Sequence, residues 1–428
     1  MKMDSSTYAH YVAILKQELV PALGCTEPIA IAFCASKTRE VLGCFPEKVT
    51  IGCSGNIVKN VMGVTVPNSG GLKGIDVATV LGLVGGKSDR LLEALEGVTE
   101  TDIETTKALL QDPAYCTCKL LQGDDNLIIV CEMEGQGHTA LVEVKNKHTH
   151  ITRIEKDGVL IFSQGVEKQE NLENPDYSLL NIQDIITFTD ELKIEDVEDA
   201  LGTQIAFNSA ISKEGLENSW GVNVGSSLLR RNGKDPDVRI KARAAAAAGS
   251  DARMSGCAKP VIINSGSGNQ GITLTMPIVE YAKELKVSKE IELKSLALAN
   301  LVAIHQKQYI GDLSAYCGVV CAATGSASGV AYMLGGRYEE ISNTITNSIC
   351  TVGGMVCDGA KPSCAAKISI ALEAALDGYC IQHHGGVFKQ GEGMVKKDVE
   401  STIRSVGKMA QVGMHSTDVE ILKIMLEK

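Results

Sequence analysis

Residues 317–329 read CGVVCAATGSASG, and residues 344–367 read TITNSICTVGGMVCDGAKPSCAAK. Five cysteines, Cys317, Cys321, Cys350, Cys357 and Cys364, sit there among Gly, Ala and Ser, with almost no bulky side chains to make them core filler. A metal site is the first reading to test. On one unbroken helix Cys357 and Cys364 would stand roughly 10 Å apart along the axis, too far for one compact centre. Pro362 changes this, because it disfavours helical geometry at Lys361 and suits the opening of a new helix. The spacing therefore predicts a tight Asp358-Gly359-Ala360-Lys361 loop, with Cys364 in the first turn of the following helix and both thiols facing one pocket. Cys321, one helical turn after Cys317, falls on the same face if that stretch is helical. Local spacing thus offers more ligands than one centre needs.

A chain of 428 residues allows two or three domains with their own cores. Hydrophobic residues at 44% and charged residues at 22% are ordinary for a globular protein. The formal charge of −11 gives no support to nucleic-acid binding. The opening MKMDSSTYAHYVAILKQELV has an early Asp and no clean apolar run. It does not read as a secretory signal, so the expectation is a cytoplasmic protein without a membrane partner. The 14 cysteines are then buried hydrophobes, ligands or reactive thiols rather than disulfides.

Taken in order, residues 7–22 carry an amphipathic helical pattern that stops at Pro21. Cys25 falls in a loop just before a second apolar helix, with Glu27 and Pro28 suited to its first turn. A thiol there is expected to face a cleft and to have its pKa lowered by the helix end. Lys48 to Cys53 reads as a strand, followed by the donor-rich Ser54–Asn60 segment and a polar loop around Pro67–Gly71. Either is plain turn chemistry or a backbone anion cradle. Between about Gly97 and Gly202, alternation predicts a small antiparallel sheet from Cys116–Leu120, Asn126–Glu134, His138–Lys145 and His150–Lys156. Turns are expected at 122–125, 134–137 and 147–149, and residues 161–180 look irregular. Cys116 and Cys118 read as structural, and His148 and His150 as surface residues of a hairpin. The almost pure Ala run in Lys241–Ala248 must pack very closely against a neighbour. INSGSGNQGI, residues 263–272, is a glycine loop opening a helix, where an anion could be cradled.

Four segments then act together: ALGCTEPIAIA at 22–32, SGNIVKN at 54–60, NSGSGNQG at 264–271 and CDGAKPSCAAK at 357–367. In combination they resemble the L-cysteine desulfidase family and, more distantly, the catalytic alpha domain of iron–sulfur L-serine dehydratases. The match runs over most of the chain. The resemblance implies an oxygen-sensitive [4Fe–4S] cluster held by Cys317, Cys357 and Cys364, with Cys25 near the fourth iron. Three soft thiolates leave one iron open as a Lewis acid. Unlike the serine dehydratases, this chain has no cysteine near its C-terminus, so Cys25 would take the part their tail cysteine plays.

The resemblance also implies a β-elimination. L-cysteine would displace Cys25, with its carboxylate held by donors such as Ser54, Asn56, Asn60 and Asn269, and the freed Cys25 would remove the α-proton. Sulfide leaves, and aminoacrylate hydrolyses to pyruvate and ammonia. Lys59, Lys361 and Lys307 are further candidates for moving a proton or pairing with the carboxylate, and His383 and His384 read as a structural loop. There is no Ser-His-Asp or HExxH signature and no lysine motif for pyridoxal phosphate, so PLP is not expected. The alternatives are an iron–sulfur L-serine dehydratase and a non-catalytic zinc-binding protein. The expected architecture is α+β: a mainly helical catalytic body made by both chain ends, residues 1–96 and 203–428, with a smaller antiparallel-sheet lobe, 97–202, between them. A homodimer taking a small amino acid as substrate completes the expectation.

Overall fold

The computed structural model describes residues 2–123, 125–164, 175–311 and 313–427. Residue 124 of the expected 122–125 turn, and residues 165–174 of the segment read as irregular, lie outside the described residues. The fold is α+β. The N-terminal part supplies α1 (Ser5–Glu18), α2 (Thr26–Leu42), α3 (Gly55–Val61), α4 (Ile75–Gly85) and α5 (Glu100–Leu109). After the central strands come α6 (Ile182–Glu191), α7 (Glu198–Glu217), α8 (Val224–Arg231), α9 (Val238–Met254), α10 (Gly268–Leu285) and α11 (Lys289–Ile310). The last third adds α12 (Val319–Met333), α13 (Tyr338–Val352), α14 (Cys364–His383), α15 (Val399–Lys408) and α16 (His415–Leu426). None of the helices among the described residues is long and apolar enough to cross a membrane.

The strands are β1 (Pro21–Leu23), β2 (Lys48–Cys53), β3 (Cys116–Leu120), β4 (Ile128–Gly135), β5 (His138–Lys145), β6 (Ile151–Lys156), β7 (Val159–Ser163) and β8 (Pro260–Ile262). Six of them form one sheet in the order β3-β2-β4-β5-β6-β7. Its neighbours are antiparallel except β2 and β3, which run parallel with Val49 opposite Cys116. The purely antiparallel lobe expected from alternation is thus corrected. β2, from the N-terminal part, slots between β3 and β4, and alternation carries no information about which strands become neighbours. The buried face of β4 and β5 alternates along the strands, and α2 covers it, with the Cys34 thiol donating to the Val142 carbonyl at 3.4 Å.

Small side chains set the helical body. In α9, Ala242 and Ala244–Ala248 are buried, and α7 lies directly against them. A Cβ added at Gly215 of α7 would collide with the Ala248 carbonyl. Gly215→Ala is therefore expected to cost about 1–3 kcal/mol, read as a lower urea midpoint at unchanged slope. An unchanged midpoint would mean that the two helices separate freely.

The two-stranded β1–β8 ribbon leads directly into Cys25. It pairs Pro21 with Ile262 and Leu23 with Pro260, and Ile263 donates its N–H to the Val20 carbonyl at 3.0 Å. This short ladder ties the segment before Cys25 to the segment before the 263–272 glycine loop, although more than two hundred residues separate them.

Candidate active site

Each cysteine of the site is fixed by its own local device. Cys25 is the N-cap residue of α2, reached through Gly24 at φ +58°, where a side chain would also strike Pro67. Cys317 and Cys357 are held side by side by an isolated antiparallel bridge between Tyr316 and Val356. Across it the Cys317 N–H donates to Met355 O at 2.9 Å and the Cys357 N–H to Ala315 O at 2.6 Å. The chain then turns at Gly359, φ +94°, whose missing Cβ lets it lie on the Lys59 carbonyl. Cys364 opens α14, as the position of Pro362 predicts. All four thiols line one cavity of about 90 Å³, together with Glu27, Asn60, Arg253, Asn269, Gln270 and Lys307. Cys321 and Cys350 do not line it; Cys321 is buried in α12, where burial pushes its thiol up to about 12.

The thiols differ in charge preference. The Cys317 thiol donates to Cys357, which holds Cys357 well below the usual thiol range against the opposing effect of burial, with the Lys59 and Lys367 charges assisting. The same hydrogen bond, then burial, pushes Cys317 far up. Burial also raises Cys364. A Cys357 thiol held below the ordinary range, with two further soft donors beside it, suits metal binding.

Cys25 departs from expectation. It lines the cavity from a buried position, and its thiol is pushed well above the ordinary range, first by burial and then by the Glu27 carboxylate, despite the opposing charge of Arg253. Desolvation and a neighbouring anion outweigh the helix terminus here. The thiol donates to Glu27 Oε2 at 3.0 Å. Glu27 also accepts from Thr26 Oγ1 at 3.1 Å and from Asn60 Nδ2 at 3.0 Å. Burial works to raise the Glu27 carboxyl, but His148 and the Cys25 thiol outweigh it and hold the group below the usual carboxylate range. The His148 Nε2 stands 3.9 Å from Glu27 Oε1, beyond hydrogen-bond length.

His148 corrects a second expectation. It is buried, not on the surface, because the turn between β5 and β6 folds onto the glycine loop and presses the imidazole against Gly266. His150 stays with its hairpin, its Nδ1 2.9 Å from the Lys145 carbonyl oxygen.

The other expected residues divide. Asn60 and Asn269 line the cavity. Ser54 does not; it caps α3 by position and its hydroxyl bonds Asn126 O and Ile128 N in the central sheet. Asn56 sits in the first turn of α3 and is also not in the lining. Lys59 is buried and paired with Asp418 of α16, one layer behind Cys357. Lys361 donates to Asp358 O at 2.8 Å and Gly359 O at 3.1 Å, bracing the cysteine loop. Lys307 lines the cavity and donates to Gly311 O. His383 and His384 lie at the far end of α14, their rings 5.6 Å apart and tilted by 47°.

The donor set fits an iron–sulfur cluster. Cys317, Cys357 and Cys364 offer three soft sulfur donors to one cavity, the donor chemistry such a cluster takes. Among the described residues, no three His, Cys, Asp or Glu side chains surround a single ion-sized point. A cube does not require one, since each cysteine holds a different iron.

Among known proteins, the serine dehydratase alpha chain family matches residues 89–423. This span includes Cys317, Cys357 and Cys364 and leaves Cys25, Glu27 and Asn60 before it. A UPF0597 protein of Lachnoclostridium phytofermentans is 49% identical over 98% of this chain and 100% of its own length. A UPF0597 protein of Desulfitobacterium hafniense is 47% identical over 100% of this chain and 99% of its own. One from Fusobacterium nucleatum is 41% identical over 96% of this chain and 97% of its own. The chain belongs to the serine dehydratase alpha chain family.

Proposed function

We propose that the protein is a lyase that removes sulfide from L-cysteine, leaving pyruvate and ammonia, at a [4Fe–4S] cluster held by Cys317, Cys357 and Cys364. Membership of the serine dehydratase family supports the lyase class. The observation that carries the finer reading is the meeting of Cys25, from the N-terminal end, with three cysteines of the last third in one cavity. When bound, the cluster supplies a Lewis acid that takes up the negative charge developing on the leaving sulfur.

The chain's own groups do the rest. As a thiolate, Cys25 Sγ is the base that takes the α-proton, and Glu27 Oε2, 3.0 Å away, accepts from the thiol so formed and fixes the sulfur's direction. Asn60 and Thr26 hold that carboxylate still by donating to it. Burial keeps water from competing for the thiolate. The Cα–H electrons form the Cα=Cβ bond as the Cβ–S bond breaks. The enamine product takes up water and releases ammonia and pyruvate.

The family's name favours L-serine as the second reading, with hydroxide leaving in place of sulfide. Steady-state assays on anaerobically prepared protein separate the two. The expected result is equimolar sulfide and pyruvate from L-cysteine at a kcat/KM at least about tenfold above that for L-serine, equivalent to about 1.4 kcal/mol. Pyruvate from L-serine without comparable sulfide from L-cysteine contradicts the desulfidase reading.

A further inference from the structure

Arg253, in the last turn of α9, takes no part in moving the α-proton, yet it is the most conspicuous polar side chain in the cavity lining. It is 2% exposed. Its Nε has no hydrogen-bond partner, and among the described residues the guanidinium forms no ion pair. Two of the lysines nearby are committed, Lys59 to Asp418 and Lys361 to Asp358. An unpaired buried cation is costly unless an anion arrives to meet it.

A cation in the last turn of a helix is ordinarily explained by the helix dipole. That explanation fails for this guanidinium, which lies against Gly268 at the opposite, positive end of α10. A Cβ at Gly268 would collide with Nε and Cζ. Two sources of positive potential, the guanidinium and the first turn of an 18-residue helix, therefore converge on one wall of the cavity, whose lining carboxylate, Glu27, is taken up by Cys25, Thr26 and Asn60. Beside them, Asn269 Oδ1 and Gln270 Oε1 are buried acceptors without partners. Unsatisfied donors next to unsatisfied acceptors complement a zwitterion: a carboxylate for the arginine fork, an ammonium for the amide oxygens.

We propose that Arg253 and the first turn of α10 form the carboxylate anchor of this site, restricting its ligands to small molecules with a free α-carboxylate and, by the adjoining acceptors, to α-amino acids. This rests on the lyase reading for its place in the reaction, but the anchor itself is a binding site with its own readout. It moves the carboxylate contact away from Ser54 and Asn56, which are engaged elsewhere or absent from the lining, and reassigns Asn269 from the carboxylate to the ammonium.

The test is equilibrium binding of L-alanine and L-alaninamide, neither of which carries a leaving group, to anaerobically prepared wild type, Arg253→Gln and Arg253→Lys, by calorimetry. Iron and acid-labile sulfide are measured in parallel. Wild type is expected to bind L-alanine about 100-fold more tightly than the amide, the loss appropriate to a charge-assisted pair. Arg253→Gln is expected to bring L-alanine down to the amide's level while leaving the amide and the iron content unchanged. Arg253→Lys, which keeps the charge but loses the fork, should lie between them, and carries the test if the glutamine variant does not fold. L-alanine binding unaltered by either substitution overturns the proposal, as does an equal loss for acid and amide, which would place the arginine in the service of Cys25. If L-alanine binds as expected but L-cysteine yields no sulfide, the anchor stands and the desulfidase reading falls.

Discussion

Cys25→Ala is expected to lower turnover of L-cysteine by about 10³-fold, within the range for loss of a positioned base, while iron and acid-labile sulfide per chain stay at the wild-type level. The expectation separates two roles that a cysteine in such a cavity can have. Cys25 packs with Val64, Met254, Ala360 and Cys364, and its thiol is engaged by Glu27. Removing one buried sulfur from that small apolar group costs about 1–2 kcal/mol of stability, too little to unfold the protein. On the proposed reading the three C-terminal cysteines remain to hold the cluster. Turnover unchanged in the alanine variant would remove Cys25 from the chemistry; iron lost with it would make it a structural ligand.

Cys357→Ser is expected to do the opposite in its order of events. Iron falls to near zero on anaerobic purification, and activity falls with it by more than about 10³-fold. Cys357 is the thiol that its surroundings favour as thiolate, by the donated bond from Cys317 and the charges of Lys59 and Lys367. A serine hydroxyl at that place neither ionises comparably nor binds iron as a soft donor. Cys350→Ser is the matched control: it lies in the same stretch, outside the cavity, and should keep both iron and activity. Iron retained in the Cys357 variant would mean that the cluster, if any, sits elsewhere.

The parts of this site that were legible in sequence are those fixed by local rules. Pro362 announces the start of α14 and so the place of Cys364, and Thr26-Glu27-Pro28 announces α2 and the N-cap position of Cys25. The parts that were not legible depend on what lies across the chain. Glu27 reads as an ordinary first-turn acid until Cys25, Asn60 and His148 are seen around it. His148 sits among turn residues and is buried only because that turn meets Gly266. Arg253 at the end of an alanine-rich helix looks like a surface cap until α10 is placed against it. The position of β2 between β3 and β4 is a matter of pairing rather than alternation. β7, Val159–Ser163, is apolar without a period of two, and its last three residues fall in the 161–180 segment expected to be irregular. Even for Cys25 the local rule gave the position but the wrong electrostatics, because a helix terminus lowers a thiol's pKa only while solvent or a cation supports the charge.

Everything proposed for the reaction depends on Cys317, Cys357 and Cys364 holding a [4Fe–4S] cluster in the cavity that Cys25 closes. Iron, acid-labile sulfide and zinc, quantified in protein purified and reconstituted without oxygen, decide whether they do. About four irons and four labile sulfides per chain are expected, with no stoichiometric zinc. Stoichiometric zinc without labile sulfide would contradict the cluster and the elimination together.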